Sequence, residues 1–185
     1  MKPIRVLALS VLSVSLASCI ERPAPESPSR PAVDRSRLQD VLVRQTPPNL
    51  TPVGATFGNG AIELVGYTAD PSPMVPGQHT RVVLYWRCRS ELDSWHIFVH
   101  LDDVTGSGER IHAEHDPAGG RYPTDAWQPG DLIADSFAFA PGHAPLGLYL
   151  GLYSQGETRL KLDQPGRGKN DGGNRLLAGI LPMVK

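Results

Sequence analysis

Five side chains that can exchange protons or bind a metal lie close together in one part of this 185-residue chain. They are His96, His100, His112, Glu114 and Asp116. Imidazole and carboxylate groups hydrogen-bond to one another, and they also make up the ligand sets of many zinc sites. Side chains two residues apart on a strand lie on the same face. The even spacing from His96 to His100, and from His112 to Glu114 and Asp116, therefore predicts that these side chains share one surface.

A hairpin would position these side chains. Residues Trp95–Leu101 and Arg110–Glu114 have the alternating pattern of strands, and the turn between them would fall at Val104–Gly108. An even register gives the pairs His100–His112, Phe98–Glu114 and His96–Asp116. A slip of one residue would move apolar side chains into water, so the pattern favours this register.

Straight-strand geometry limits what metal such a hairpin can bind. Opposed Cβ atoms lie about 5 Å apart, so His100 and His112 could share an ion with a nearby carboxylate. His96 would lie about 13 Å from His100 along the strand, and His115 would point to the opposite face. Four ligands that converge on one metal ion would need a β-bulge in the hairpin. We therefore predict no metal and no other cofactor, and we interpret the set as solvated histidine–carboxylate pairs.

A long loop, residues 115–131, follows the hairpin and carries further candidate ligand-binding residues. Together with His100, these are Asp116, Arg121, Tyr122 and Trp127. Trp127 could stack on a sugar ring, Arg121 and Tyr122 could hold an anionic group, and Asp116 could bind a hydroxyl or calcium. Structural alternatives stay open: Trp127 as a plug at the end of the fold, Asp116 as a cap for backbone N–H groups, and Arg121 packed on Tyr122.

The pattern along the rest of the chain predicts an all-β fold. Apolar alternation and turn residues indicate strands at Ala61–Tyr67, Arg81–Cys88, Trp95–Leu101, Arg110–Glu114, Leu132–Phe139, Gly147–Tyr153, Thr158–Leu162 and Leu176–Leu181. Their lengths suit an antiparallel β-sandwich of about 7–9 strands, immunoglobulin-like or jelly-roll-like. In Arg81–Cys88 the inward phase ends on Cys88, which we predict to be buried; the alternative is an exposed thiol that pairs between chains.

The N-terminus carries a signal for export and lipid attachment. The apolar stretch Val6–Ala17 follows two basic residues and is too short for a spanning helix, which needs about 20 apolar residues. It ends in Leu16-Ala17-Ser18-Cys19, and this arrangement resembles the signal peptide and lipobox of bacterial lipoproteins. The resemblance implies cleavage before Cys19 and acylation of its thiol and new amino group. Ile20, where an aspartate often marks retention in the inner membrane, favours the outer membrane.

These features predict three parts: a signal peptide at 1–18, a lipid-anchored, proline-rich tether at 19–52, and a sandwich domain at 53–185. Within the tether, Leu38, Val41 and Leu42 have helical spacing over Ser36–Arg44, which predicts a short helix docked on the domain. The predicted partners are the membrane, through acylated Cys19, and a glycan or an envelope protein. The formal net charge of −1 and the lack of a basic stripe exclude nucleic acid as an expected partner.

An ordered set of short motifs runs through residues 60–162. The set consists of Tyr85-Trp86, Val99-His100-Leu101, Asp116-Pro117, the stretch Gly120 to Gly130, and Gly147-Leu148-Tyr149. It resembles the accessory extracytoplasmic β-sandwich domain of bacterial glycosyltransferases of the dolichyl-phosphate-mannose-dependent type. The resemblance implies a sandwich fold but not transferase activity, because the membrane catalytic domain of those enzymes has no counterpart here.

We therefore expect a non-catalytic binding module of the bacterial cell envelope that recognises glycan or an envelope partner. A structural or assembly subunit of an envelope complex is the alternative. A carbohydrate-active enzyme is a minor alternative, since Glu114 and Asp116 could form a glycosidase pair but would lie on an outer sheet face without a cleft. The chain has neither a Gly-x-Ser-x-Gly elbow nor a His-Glu-x-x-His helix.

Overall fold

The computed structural model describes residues 30–106, 110–154, 156 and 158–184. The predicted signal peptide, the Cys19 lipobox and the tether up to residue 29 lie outside the described residues. In the described part, two antiparallel five-stranded sheets pack around one core, which confirms the predicted all-β sandwich. No helix of these residues is long and apolar enough to cross a membrane.

Ten strands form the two sheets. They are β1 (Thr51–Phe57), β2 (Ile62–Asp70), β3 (Thr80–Cys88), β4 (His96–Asp103), β5 (Ile111–His112), β6 (Leu132–Phe139), β7 (Leu146–Tyr153), β8 (Leu162–Gln164), β9 (Lys169–Asn170) and β10 (Leu176–Leu181). The first sheet has the order β6-β3-β2-β1-β8, and the second has the order β5-β4-β7-β10-β9. Three short 3-10 turns, at Arg35–Arg37, Pro117–Gly120 and Thr124–Ala126, complete the regular structure of the described residues.

Alternation along the central strands builds the core between the sheets. In β3 the predicted inward set, Val82, Leu84, Trp86 and Cys88, is at most 1% exposed. Trp86 packs against Phe57 of β1 with a ring-centroid distance of 5.9 Å. Burial of each large apolar side chain contributes about 1.5–3 kcal/mol, so this layer is a main source of stability.

Two strands were not predicted from the sequence. Strand β1 contains Pro52 and Gly54, which are typical of turns, and β9 has only two residues. The predicted strand at Thr158–Leu162 lies further along the chain as β8, and Arg159 makes only an isolated bridge to Tyr153. Strands β6 and β10 have the predicted bounds.

The segment just before β1 is partly integrated into the sandwich. Leu38 and Val41 are 2% and 1% exposed, so both belong to the core. Val43 N–H donates to the Leu132 carbonyl at 3.0 Å, and Ala134 N–H donates to the Val41 carbonyl at 2.7 Å. Residues 34–43, hereafter the docked segment, therefore extend the edge of the first sheet at β6. The predicted docking is present, but the predicted helix is reduced to a 3-10 turn at Arg35–Arg37 and a turn closed on the Leu38 carbonyl, because edge pairing with β6 begins at Val41.

Candidate functional site

The outer face of the second sheet brings the histidines and carboxylates together. His100 of β4 pairs with His112 of β5, as the alternation predicted. The register continues beyond β5, since Ile97 and His115 exchange backbone hydrogen bonds at 3.1 and 3.0 Å. Glu114 therefore lies on the same face as His100 and His112.

Glu114 bridges the two imidazoles. Its Oε1 atom lies 3.1 Å from Nε2 of His100 and 2.9 Å from Nδ1 of His112. The two imidazole rings are 5.0 Å apart between centroids. Both nitrogens donate to the same carboxylate oxygen in this arrangement, so a proton lies on Nε2 of His100 and on Nδ1 of His112.

The surroundings shift the pKa values of His100 and Glu114. Burial, together with the positive charge of Arg110, lowers the pKa of His100 below its ordinary value. Burial alone would raise the pKa of Glu114, but hydrogen bonds from His112 and from the backbone lower it overall. The cluster therefore presents a neutral His100 beside an ionised carboxylate.

A second pair lies at the other end of β4. Asp116 Oδ1 is 2.5 Å from His96 Nδ1, and the His96 ring lies 5.2 Å from the Tyr153 ring. Asp116 precedes the 3-10 turn Pro117–Gly120, but its side chain makes no capping hydrogen bond there. Its carboxylate therefore belongs to the outer face, where it is exposed to solvent.

Aromatic rings occupy the centre of this face, and two arginines cover them. The Arg159 guanidinium lies 4.7 Å from the Phe98 ring centroid, and the Arg175 guanidinium lies 3.9 Å from that of Tyr149. Phe98 points outward as predicted, yet it is only 4% exposed because Arg159 covers it. Gly151 opposite Phe98 leaves room for the ring, since a Cβ there would lie 2.5 Å from it.

Two of the predicted ligand-binding residues are interior. Trp127 and Tyr122 are 0% exposed, so neither ring can stack on a sugar in this structure. The Trp127 indole N–H donates to the Tyr122 carbonyl at 2.9 Å, and the two rings are 6.4 Å apart. Loop residues 115–131 thus fold back on themselves, and the plug interpretation of Trp127 accounts for its position.

The Tyr122 hydroxyl belongs to a half-buried ionic network. It donates to Asp131 Oδ2 at 2.5 Å, while Arg35 of the docked segment binds both oxygens of Asp131 at 2.6 and 3.1 Å. Burial and the Asp131 carboxylate raise the pKa of Tyr122. Arg121 is exposed and forms two hydrogen bonds with Asp40 of the same segment. Tyr122 and Arg121 therefore attach the loop to the docked segment.

The structure thus separates the five predicted site residues. His100 and Asp116 lie on the outer face of the second sheet, Arg121 lies on the surface beside the docked segment, and Tyr122 and Trp127 lie inside. Arg159, Arg175 and Tyr153 belong to the outer face, although the sequence pattern did not indicate it. Their signal was weak, because Arg159 and Arg175 are in connecting segments whose position relative to the sheet is not local information.

A buried ion pair was also missed. Asp135 of β6 is 0% exposed and accepts hydrogen bonds from His115 Nε2 at 2.7 Å and from Ala118 N–H at 2.8 Å. A signal for this ion pair was present in the chain, because a charged residue occupies an inward position of β6. Asp135 pairs with Leu84, which faces the core. This pair closes the side of the sandwich between β5 and β6.

No protein-family model matches this chain, and no curated protein matches it in sequence. The resemblance to the accessory domain of glycosyltransferases stays a prediction. Interpretation of the outer face therefore depends on the geometry and charge of its own residues.

Proposed function

We propose that this protein is a non-catalytic binding module of the bacterial cell envelope. In this proposal, acylated Cys19 anchors it, preferentially to the outer membrane, and the sandwich recognises an envelope glycan. The observation that supports the proposal is the outer face of the second sheet, where Phe98, Tyr149 and Tyr153 lie among guanidinium, imidazole and carboxylate groups.

The chemistry of this face suits a sugar. Half-buried Tyr153 offers ring surface to the apolar side of a pyranose, beside Tyr149, whose ring is covered by Arg175. A tyrosine ring contributes contact area with little conformational freedom to lose. Exposed Arg159, His112 and Glu114 surround them with donors and acceptors for hydroxyl groups. Binding sites typically combine aromatic surface with a few fixed polar groups in this way.

The same face gives less support to hydrolysis. Glu114 and Asp116 are both exposed, and each is engaged by histidine. A glycosidase places its two carboxyl groups on opposite sides of the scissile bond, which requires a cleft that holds the sugar between them. Here both acids project from one open sheet face, so binding without turnover fits them better.

Binding of residues 20–185 to an envelope-glycan array and to isolated peptidoglycan tests the proposal. We expect saturable binding to at least one glycan, weakened about 2–10-fold by Tyr153→Ala, since one aromatic contact contributes about 0.5–1.5 kcal/mol. Arg159→Ala should act in the same direction.

Matched controls come from the outer face of the other sheet. Tyr85→Ala and Arg87→Ala remove a half-buried tyrosine and an exposed arginine from β3, and both should leave glycan binding unchanged. Absence of binding to every envelope glycan would contradict the proposal. Cross-linking in cells that recovers one stoichiometric protein would instead favour an assembly subunit.

A further inference from the structure

Three metal-ligand side chains converge on the outer face of the second sheet. One ligand atom from each of His100, His112 and Glu114 lies within 4.8 Å of the other two. The sequence pattern allowed His100 and His112 to share an ion with a nearby carboxylate, but four convergent ligands would have needed a bulge, so no metal was expected. The structure identifies that carboxylate, since Glu114 reaches both rings just beyond the end of β5.

We propose that His100, His112 and Glu114 form a binding site for a Zn²⁺ ion. Two imidazoles and one carboxylate are a known zinc ligand set that leaves a position open to water or to another donor. The site shares His112 and Glu114 with the proposed glycan-binding face. Zinc binding does not rest on glycan recognition, because the ligand set is complete without a sugar.

The spacing of the ligand atoms fits tetrahedral coordination. Ligands about 2.1 Å from a zinc ion at the tetrahedral angle lie about 3.4 Å from one another. Glu114 Oε1 lies 3.1 Å from His100 Nε2 and 2.9 Å from His112 Nδ1, and the ligand atoms of the two histidines lie within 4.8 Å of each other. Binding of the ion would therefore draw the two imidazole rings closer together. The ion would replace the two protons that now bridge these atoms.

Exposure and charge around the cluster are compatible with an ion bound at the surface. The side chains of His100, Glu114 and His112 are 12%, 33% and 59% exposed, so the open coordination position would face solvent. Two arginines act on His100, Arg110 and Arg175, and Asp102 forms hydrogen bonds with both of them. Asp171 pairs with Arg175 as well, so carboxylates accompany both positive charges beside the site.

The surroundings of His100 Nδ1 predict that the affinity for zinc is moderate. After zinc binding, the proton of His100 would move to Nδ1, which is buried and has no hydrogen-bond partner among the described residues. Loss of an outer partner of this kind typically weakens metal affinity about 10–100-fold. We therefore expect reversible binding, weaker than at a zinc site whose histidines are fully supported.

Calorimetric titration with Zn²⁺ tests the proposal on residues 19–185 carrying Cys19→Ser, without a histidine tag and after treatment with a chelator. We expect one ion per chain. Because loss of an outer partner alone costs about 10–100-fold, His112→Gln and Glu114→Gln should each weaken binding by at least about tenfold. His96→Gln on the same strand and face, and His143→Gln at an exposed site elsewhere, should not change binding.

A measurement on the unmutated side chains protects the test against variants that fail to fold. In nitrogen-detected NMR, Zn²⁺ should shift the ring nitrogens of His100 and His112 while those of His96 and His143 stay in place. Absence of saturable binding would overturn the proposal, and so would equal weakening by His96→Gln and His112→Gln. Shifts at His96 or His143 instead of His100 and His112 would also overturn it.

Discussion

The carboxylate of Asp135 is fully buried. It points into the core from β6, and its two oxygens accept hydrogen bonds from His115 and from the Ala118 backbone. The other ring nitrogen of His115 lies 2.8 Å from the Ala113 carbonyl. Because both ring nitrogens face acceptors, the geometry requires a protonated imidazole.

This pair predicts a dependence of stability on pH. Burial alone would lower the pKa of His115, but the hydrogen bond and charge of Asp135 raise it above the ordinary value of about 6.5. A raised folded-state pKa contributes stability that is fully present below the unfolded-state pKa and is lost as pH rises through the folded-state pKa. Urea unfolding of the wild type should therefore show a stability loss above about pH 6.5, and His115→Gln should remove that component. A pH profile that His115→Gln leaves unchanged would contradict the assignment.

Removing the carboxylate should have a larger effect at any pH. Asp135→Ala would leave the His115 imidazolium and the Ala118 N–H without their acceptor in the interior. Breaking a buried pair in this way costs about 3–5 kcal/mol, which chemical denaturation would measure. Ser136→Ala, one residue along on the outward phase of β6, is the matched control and should change stability by no more than about 0.5 kcal/mol.

Cys88 is predicted to be an unreactive thiol. It is 1% exposed, and burial together with the charge of Asp131 raises its pKa to about 11. Only about one molecule in a thousand would hold a thiolate at pH 8, so reaction with a disulfide reagent should be slow until denaturant unfolds the chain. Prompt stoichiometric labelling of the native protein, or a disulfide-linked dimer on a non-reducing gel, would contradict this prediction.

At the scale of elements, loop 115–131 and the docked segment hold each other. Arg35 binds Asp131 beside Tyr122, and Arg121 binds Asp40. The docked segment also covers the backbone edge of β6, which would otherwise present unpaired N–H and C=O groups. The length of this loop suggested a binding site. Its conformation depends on contacts with the docked segment, which lies some 80 residues earlier in the chain.

Deletion of the docked segment should therefore destabilise the sandwich. A chain that begins at residue 45 loses buried Leu38 and Val41, and burial of each such side chain contributes about 1.5–3 kcal/mol. We expect it to unfold at lower denaturant concentration than a chain that begins at residue 30, and to aggregate through the uncovered β6 edge. Equal stability of the two chains would show that the segment is not part of the folding unit.

A point substitution sharpens the same test. Leu38→Ala should cost about 2–5 kcal/mol, as is typical of a buried leucine. Its neighbour Gln39 is exposed, so Gln39→Ala is expected to stay within about 0.5 kcal/mol of the wild type.

At the scale of the whole molecule, the proposed anchor and the sandwich have separable roles. The lipobox resemblance implies two or three acyl chains on Cys19, and two lipid signals suffice for stable membrane attachment where one chain binds only reversibly. In this proposal the outer face of the second sheet is presented in the envelope by the anchored domain.

Cys19→Ser tests the anchor directly. Wild-type protein should incorporate a labelled palmitate analogue in cells and sediment with membranes, whereas Cys19→Ser should lose the label, because serine offers no thiol to acylate. Cys88→Ser should keep it, since Cys88 is buried in the domain. Mature wild-type protein found unlabelled in the medium would contradict the anchor.

Local sequence pattern was sufficient to predict the faces of a central strand and the register of a hairpin. The alternation of β3 identified its inward side chains, and the pattern of β4 with the following residues identified the register that pairs His100 with His112. Both depend on a two-residue period, and a one-residue error would expose a whole row of apolar side chains to water. Such a large penalty makes strand faces and hairpin register readable from the chain alone.

Only the tertiary structure decided which of the candidate residues share a surface. Trp127 and Tyr122 are buried because Asp131 and the distant Arg35 complete their surroundings, and Glu114 joins both histidines because its carboxylate turns toward them just past β5. Arg159 and Arg175 reach Phe98 and Tyr149 from other segments of the chain. Contacts of this kind depend on how separate segments pack against one another, and that packing leaves no periodic mark in the sequence.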